Sequence, residues 1–357
     1  MPLNPKLVRL SALVIVVVST LIALACSGRM SGGGAVKLQG AGATFPNPLY
    51  QKWIHEFSAA NATIQIDYQS IGSGGGIKQL QAQTVDFGAS DAPMTDDELK
   101  ASPAAVVHIP TVLGAVVVTY NLPGISNALR FSPDVVADIF LGKITKWNDA
   151  RIKADNPDAT LPAADIATVH RAESSGTTFV FTDYLSKVSA EWKEKVGANK
   201  SPKWIGGIGG KGNEGVTGQV KQTPNTIGYI ELAYAVQNKL PVALIKNKTG
   251  NFIEPTIEAV TAAAAGAIAT TPDDLRVSIT NADGASAYPI SSYTYILAYQ
   301  DQKDASKGKA VVNFLWWGIH DGQKFAKDLQ YAPLPDEIVK RSEAKINSLA
   351  SGGKPLR

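Results

Sequence analysis

The chain has 357 residues, 45% of them hydrophobic, one cysteine and a formal net charge of +3. That is enough apolar content for two domains of ordinary size, each with its own core. A charged fraction of 18% excludes long disordered stretches, and the near balance of sign excludes a polybasic nucleic-acid or membrane surface.

The N-terminus reads as an export signal. Lys6 and Arg9 form a basic start, and residues 10–25 are apolar apart from Ser11, Ser19 and Thr20. The run is shorter than the roughly 20 residues of a spanning helix, and small residues close it; the alternative is an uncleaved anchor. Cys26 follows Ala23-Leu24-Ala25 directly. A lone thiol forms no internal disulfide, and a small residue before it fits a bacterial lipobox, so Cys26 is the candidate lipidation site. Ala23-Leu24-Ala25 equally fits ordinary A-x-A cleavage. Residues 1–26 are therefore assigned to the signal with its candidate lipobox, and the Ser/Gly-rich residues 27–35 to a flexible tether.

Beyond the tether, strand and helix signals alternate. Residues 36–39 suggest a short strand, the glycine-rich turn 40–44 follows, and Pro46 suits the first turn of a helix on which Tyr50, Trp53, Ile54 and Phe57 share a face. Ile64, Ile66 and Tyr68 alternate as in a strand, residues 72–76 break the chain, and Ile77 and Leu80 resume a helical face. Residues 85–89, 106–109 and 115–120 are predicted as further strands, the last as a continuous buried run. Ser132-Pro133 starts a helix with Val135, Val136, Ile139 and Phe140 on one face. Residues 166–171 alternate as a strand, and the turn 172–176 leads into a helix carrying Phe181, Tyr184 and Leu185. The alanine-rich residues 259–269 are predicted as a helical surface segment. This alternation implies an α/β protein with mainly parallel sheets.

Three turns share one design, in which a strand ends, small residues follow and a helix begins: Ala43-Thr44-Phe45, Ser73-Gly74-Gly75 and Ser174-Ser175-Gly176-Thr177. The first N–H groups of a helix have no partner within it, and the helix dipole favours an anion there. One such turn is ordinary punctuation, whereas three that converge make a cage of neutral donors with hydroxyls from Thr44, Ser73, Ser175 and Thr177. Arg171 lies just before the third turn and offers a planar fork to a tetrahedral anion. Asp91 closes the run Val85-Asp86-Phe87-Gly88-Ala89-Ser90-Asp91. A carboxylate beside an anion makes sense only when the anion brings a proton to donate.

These stretches resemble a family. Gly40-Ala41-Gly42-Ala43-Thr44-Phe45-Pro46, Ile71-Gly72-Ser73-Gly74-Gly75, residues 85–93 and Ser175-Gly176-Thr177-Thr178-Phe179-Val180-Phe181 are similar to the periplasmic phosphate-binding protein, the substrate-binding component of the high-affinity phosphate ABC transporter. So are residues 141–147, Gly209-Gly210-Lys211-Gly212-Asn213 and Ile227-Gly228-Tyr229. The resemblance covers residues 38–356. It implies phosphate ligands at Thr44, Phe45 (through its backbone), Ser73, Asp91, Arg171, Ser175, Gly176 and Thr177. Glu173 stands where many relatives carry an aspartate that pairs with the binding arginine.

The resemblance also implies the two-lobed periplasmic-binding-protein fold of type II, with discontinuous lobes, a hinge and a ligand cleft between them. The first lobe would be residues 36–119 plus 290–357 and the second residues 120–289. The function implied is capture of inorganic phosphate and its delivery to the permease subunits and ATPase of an ABC importer, by a monomer at the periplasm or cell surface. No enzyme activity, cofactor, metal or nucleic acid enters this reading.

Other motifs carry less. Gly207-Ile208-Gly209-Gly210-Lys211-Gly212 matches G-x-G-x-x-G with Glu231 beyond it, but no convincing strand precedes it. His55, His108, His170 and His320 are scattered and lack metal-ligand spacing. A phosphate-ester hydrolase has no visible nucleophile elbow, and a binder of sulfate or molybdate conflicts with Asp91, because those anions carry no proton at neutral pH. Phe314, Trp316 and Trp317 are predicted as core.

Overall fold

The computed structural model describes residues 35–125 and 127–357; Cys26 and the rest of the signal and tether lie outside the described residues. The order begins β1 (Val36–Gly42), α1 (Asn47–Ala60), β2 (Ile64–Ser70), α2 (Ser73–Gln81), β3 (Phe87–Ser90) and α3 (Asp96–Lys100). It continues through β4 (Val106–Asn121), β5 (Arg130–Phe131), α4 (Pro133–Phe140), α5 (Ala150–Asp155), β6 (Ala167–Arg171), α6 (Gly176–Val188) and α7 (Ala190–Lys195). Then come β7 (Ile208–Gly210), α8 (Gly212–Gln222), β8 (Thr226–Glu231), α9 (Leu232–Gln237), β9 (Leu244–Lys246), β10 (Phe252–Ile253), α10 (Ile257–Ala265), β11 (Ser291–Tyr299), α11 (Ala305–Ile319) and α12 (Asp336–Asn347).

Eight strands form one sheet in the order β2-β1-β3-β11-β4-β8-β6-β7. The α/β expectation holds, but the sheet is mixed rather than mainly parallel. The pairs β1–β2, β1–β3, β6–β8 and β6–β7 are parallel, while β11 and β4 run antiparallel to their neighbours in the middle. The two strands expected at residues 106–109 and 115–120 are one strand of 16 residues, β4. Proline lacks the N–H that a ladder needs and is tolerated at bulges. Pro110 sits at such an irregularity, where the register against β11 shifts between Thr294 and Tyr295 and leaves Thr111 unpaired. The first part of β4 pairs with β11 and its last six residues with β8, so this strand joins the two portions of the sheet. Its run from Val112 to Tyr120 is buried on both faces.

The helical faces fall as their spacing dictates. Tyr50, Trp53 and Phe57 of α1 are buried, with Phe57 edge-on to Phe314 of α11. Phe314 lies in the core, and Trp316 and Trp317 pack partly buried against it. Pro46 is the residue that precedes α1, and Pro48 occupies the first turn in its place. The alanine-rich segment differs from expectation: α10 buries Ala259, Val260, Ala263 and Ala264, because alanines stacked at helical spacing let the helix lie close on the β4–β11 layer. Among the described residues no helix is long and apolar enough to cross a membrane.

Candidate functional site

Strands β1 and β3 run opposite to β6, β7 and β8, and the carboxyl ends of the two sets face each other near the middle of β4, Ser90 of β3 level with Pro110 and Glu231 of β8 opposite Val116; helices start there. In open α/β sheets ligands sit beyond the carboxyl ends of the strands. Chain reversal from β2 into α2 needs a positive φ, supplied by Gly72 at +87°. Ser73 opens α2, Gly176 opens α6 and Gly212 opens α8, so three helix N-termini point into the same space.

The side chains expected from the sequence meet there, and all are buried. Thr44, Asp91 and Arg171 are 2–3% exposed, and Ser73, Ser175 and Thr177 are fully enclosed. Ser73 Oγ accepts the N–H of Gly176 at 3.1 Å and the N–H of Asp91 at 3.3 Å. This brings the second and third turns together, and the N–H of Gly74 donates to the carbonyl of Ser174 at 3.0 Å beside them. A Cβ on Gly176 would lie 2.3 Å from Ser73 Oγ and 2.4 Å from Asp91 Oδ2, so only glycine allows this approach. Ser175 Oγ caps α6 by accepting the N–H of Thr178 at 3.1 Å, which leaves its own O–H free to donate. The N–H groups of Phe45, Ser73 and Thr177 make no hydrogen bond among the described residues.

Arg171, the last residue of β6, donates from Nη1 to Thr177 Oγ1 at 3.0 Å and from Nε to Glu173 Oε1 at 3.0 Å; Nη2 also pairs with Glu173. The longer glutamate therefore still reaches the arginine. Its Oε1 also accepts the N–H of Gly212 at 3.0 Å, which ties it to the start of α8. Three of the five guanidinium N–H groups are used, and two remain. Asp91 Oδ1 accepts from Thr294 Oγ1 at 2.8 Å. Burial pushes the Asp91 carboxyl up to about 7, against the lowering pull of Thr294, Arg171 and Ser73.

Sequence reasoning missed two members of this cluster. Asn213 Nδ2 donates to Thr44 Oγ1 at 2.8 Å and to Thr177 Oγ1 at 3.1 Å, bridging the first and third turns. The glycine before it, in a motif already quoted for the resemblance, was the available signal. Thr294 sits in mid-strand with no local signal. Its carbonyl accepts from Thr111 Oγ1 at 3.1 Å, and that hydroxyl is paired with Tyr50 at 2.7 Å.

The remaining motifs separate from the site or change meaning. His108 is buried, accepts the N–H of Met94 at 2.9 Å and is pushed down to about 3 by desolvation, so it is a neutral structural group. His170 stacks on Trp204 with ring centres 4.7 Å apart. The residues of the G-x-G-x-x-G match form β7 itself and the start of α8 rather than following a strand. Among the described residues no cluster of three or more histidine, cysteine or acidic side chains is placed to hold a metal.

An enclosed set of neutral donors, one arginine and one carboxyl with a raised pKa suits a small oxyanion that carries a proton. Comparison with known proteins bears on the same point. A model of the PBP superfamily domain matches residues 29–316. The phosphate-binding protein PstS of Xylella fastidiosa (strain 9a5c) is 48% identical over 311 residues, covering 87% of this chain and 85% of the relative. The phosphate-binding protein PstS of Pasteurella multocida is 44% identical over 325 residues, covering 90% and 94%. A solved phosphate-binding protein from Stenotrophomonas maltophilia shares the fold, with a TM-score of 0.69 at 22% identity and coverage of 87% and 94%. The chain belongs to the PBP superfamily and, within it, to the family of phosphate-binding proteins.

Proposed function

We propose that this protein binds inorganic phosphate through Thr44, the Phe45 backbone, Ser73, Asp91, Arg171, Ser175, Gly176 and Thr177, and hands it to an ABC permease. It is a binding protein, not an enzyme. The observation that carries the reading is the meeting of five distant segments around one buried point: Ser73 with Gly176 and Asp91, and Asn213 with Thr44 and Thr177. In this reading Arg171 and the free N–H groups bind phosphate oxygens, and Asp91 accepts the proton of the anion. Residues 36–119 plus 290–357 form one lobe and residues 120–289 the other, with β4 and the segment entering β11 as the crossings between them. The export signal places the protein at the periplasm or cell surface. Lipid on Cys26 anchors it there, and as a monomer it serves the permease and its ATPase.

Calorimetry on the mature protein with phosphate and with sulfate tests this. One phosphate per chain, at an affinity at least about a thousandfold above sulfate, a gap of ~4 kcal/mol, is the expected result. Equal affinity for the two anions would overturn the phosphate assignment, and turnover of a chromogenic phosphate ester would overturn the binding role.

A further inference from the structure

The buried acid with the least explained environment is Glu231, the last residue of β8. It is fully enclosed and makes no salt bridge among the described residues. Its Oε2 accepts the N–H of Ala233 at 2.9 Å, capping α9, and lies 3.1 Å from the hydroxyl of Tyr331. Its Oε1 has no partner. The Tyr331 hydroxyl also lies 2.7 Å from the carbonyl of Phe45.

A phenol has one proton to give. The Phe45 carbonyl can only accept, and a carboxylate can only accept. An ionised Glu231 would leave one of the two oxygens facing a lone pair of Tyr331 in a dry interior, where an unmet polar contact is costly. A proton on Glu231 Oε2 resolves the conflict, since Glu231 then donates to Tyr331 and Tyr331 to Phe45. The titratable groups that face Glu231 are Tyr331, Tyr234 and Asp91, none of them a cation. Desolvation raises the Glu231 carboxyl well above the usual carboxylate range.

We propose that Glu231 is a neutral carboxylic acid in the native protein and acts as a positioning residue for the anion site, its proton orienting Tyr331 onto the Phe45 carbonyl. Tyr234 holds the preceding carbonyl, of Thr44, at 2.6 Å. The two phenols thus fix the peptides on either side of Phe45, and with them the direction of the Phe45 N–H. The inference rests on the phosphate reading for its affinity measurements but not for its spectroscopic one.

Infrared spectra at pH 8, where Asp91 is mostly ionised, test the protonation directly. Wild type and Asp91→Asn should both show the C=O stretch of a protonated carboxyl, and Glu231→Gln should lack it. In Tyr331→Phe the acid loses its acceptor, so the band should move to higher frequency. Phosphate affinity should fall about fivefold in Tyr331→Phe and about tenfold in Glu231→Leu. Glu231→Gln, whose amide can still donate to Tyr331, should recover to within about twofold of wild type. A spectrum of Glu231→Gln identical to wild type would show Glu231 ionised and overturn the proposal. So would a Tyr331→Phe protein with both band and affinity unmoved. If wild type binds no phosphate while the band behaves as described, the phosphate reading fails and the protonation stands.

Discussion

With Asp91 as the acceptor in the proposed site, its raised carboxyl predicts that discrimination between phosphate and sulfate depends on pH. Sulfate brings no proton, so it is compatible with the site only when Asp91 holds one and can donate it. The Asp91 carboxyl lies at about 7 because burial outweighs the pull of Thr294, Arg171 and Ser73. Two pH units above that value only about one molecule in a hundred has Asp91 protonated, a cost to sulfate of ~2.7 kcal/mol. Sulfate affinity should therefore rise about a hundredfold between pH 9 and pH 5, nearly all of it before the pH falls below Asp91's own value. Phosphate brings its own proton and should vary much less. In Asp91→Asn the pH dependence for sulfate should vanish, and the gap between the anions should narrow. Competitive calorimetry of both anions across that range, in wild type and Asp91→Asn, reads this directly. Sulfate affinity that is flat with pH in wild type, or equally steep in Asp91→Asn, would refute the assignment of the discrimination to Asp91.

The same shift sets stability in phosphate-free buffer. Asp91 is raised from 3.8 to about 7 on folding, so the native state holds the extra proton between those values and its stability falls as pH rises through them, by ~4 kcal/mol in all. Denaturant unfolding should show Asp91→Asn gaining on wild type by that order from pH 4 to pH 8; parallel curves would contradict it. Arg171→Ala should weaken phosphate binding ten- to a hundredfold, the ~1.5–3 kcal/mol of a charge-assisted hydrogen bond, and unchanged affinity would remove Arg171 from the site. Gly176→Ala places a methyl 2.3 Å from Ser73 Oγ and should reduce affinity more than tenfold by calorimetry, since the two turns must part. Labelled fatty acid should enter the wild-type chain in a bacterial host and not Cys26→Ala; an unlabelled, freely soluble wild type would exclude the anchor.

What was legible in the chain was local. A glycine turn between a strand and a helix is written in a few consecutive residues, so the turns at Thr44, Ser73 and Ser175 could be found, and Arg171 and Asp91 with them as charges at strand ends. What was not legible depends on contacts far apart in sequence. Thr294 lies 203 residues from the Asp91 it supports, and Tyr331 lies 286 from the Phe45 carbonyl. Neither residue looks unusual among its neighbours, because a threonine in a strand and a tyrosine in a loop fit any fold. The topology was hidden for the same reason. Residues 291–299 form a strand that the sequence reading did not name, and only packing inserts it antiparallel between β3 and β4. Residues 106–109 and 115–120 read as two strands, and the bulge at Thr111 carries a single strand through both.

The charges at the site do not favour an anion by their sum. Arg171 contributes one positive charge, but Glu173 takes two of its N–H groups and Asp91 adds a carboxyl. A multivalent oxyanion bound here must draw its stabilisation from oriented N–H and O–H groups, supplied by the starts of α2 and α6 and by the Thr44–Phe45 turn. Dipoles of this kind are effective in a dry site, where water does not screen them. They also have direction, and a carbonyl or N–H that rotates away loses its contribution. This explains why so much of the surrounding structure is spent on orientation. Asn213 spans Thr44 and Thr177, Thr294 fixes one oxygen of Asp91, Glu173 fixes the guanidinium plane, and two tyrosines hold the peptides beside Phe45. Attraction from net charge would accept any anion of the right size. In the proposed site a set of fixed donors with one fixed acceptor would instead read the number of protons on the anion, which is the property that separates phosphate from sulfate.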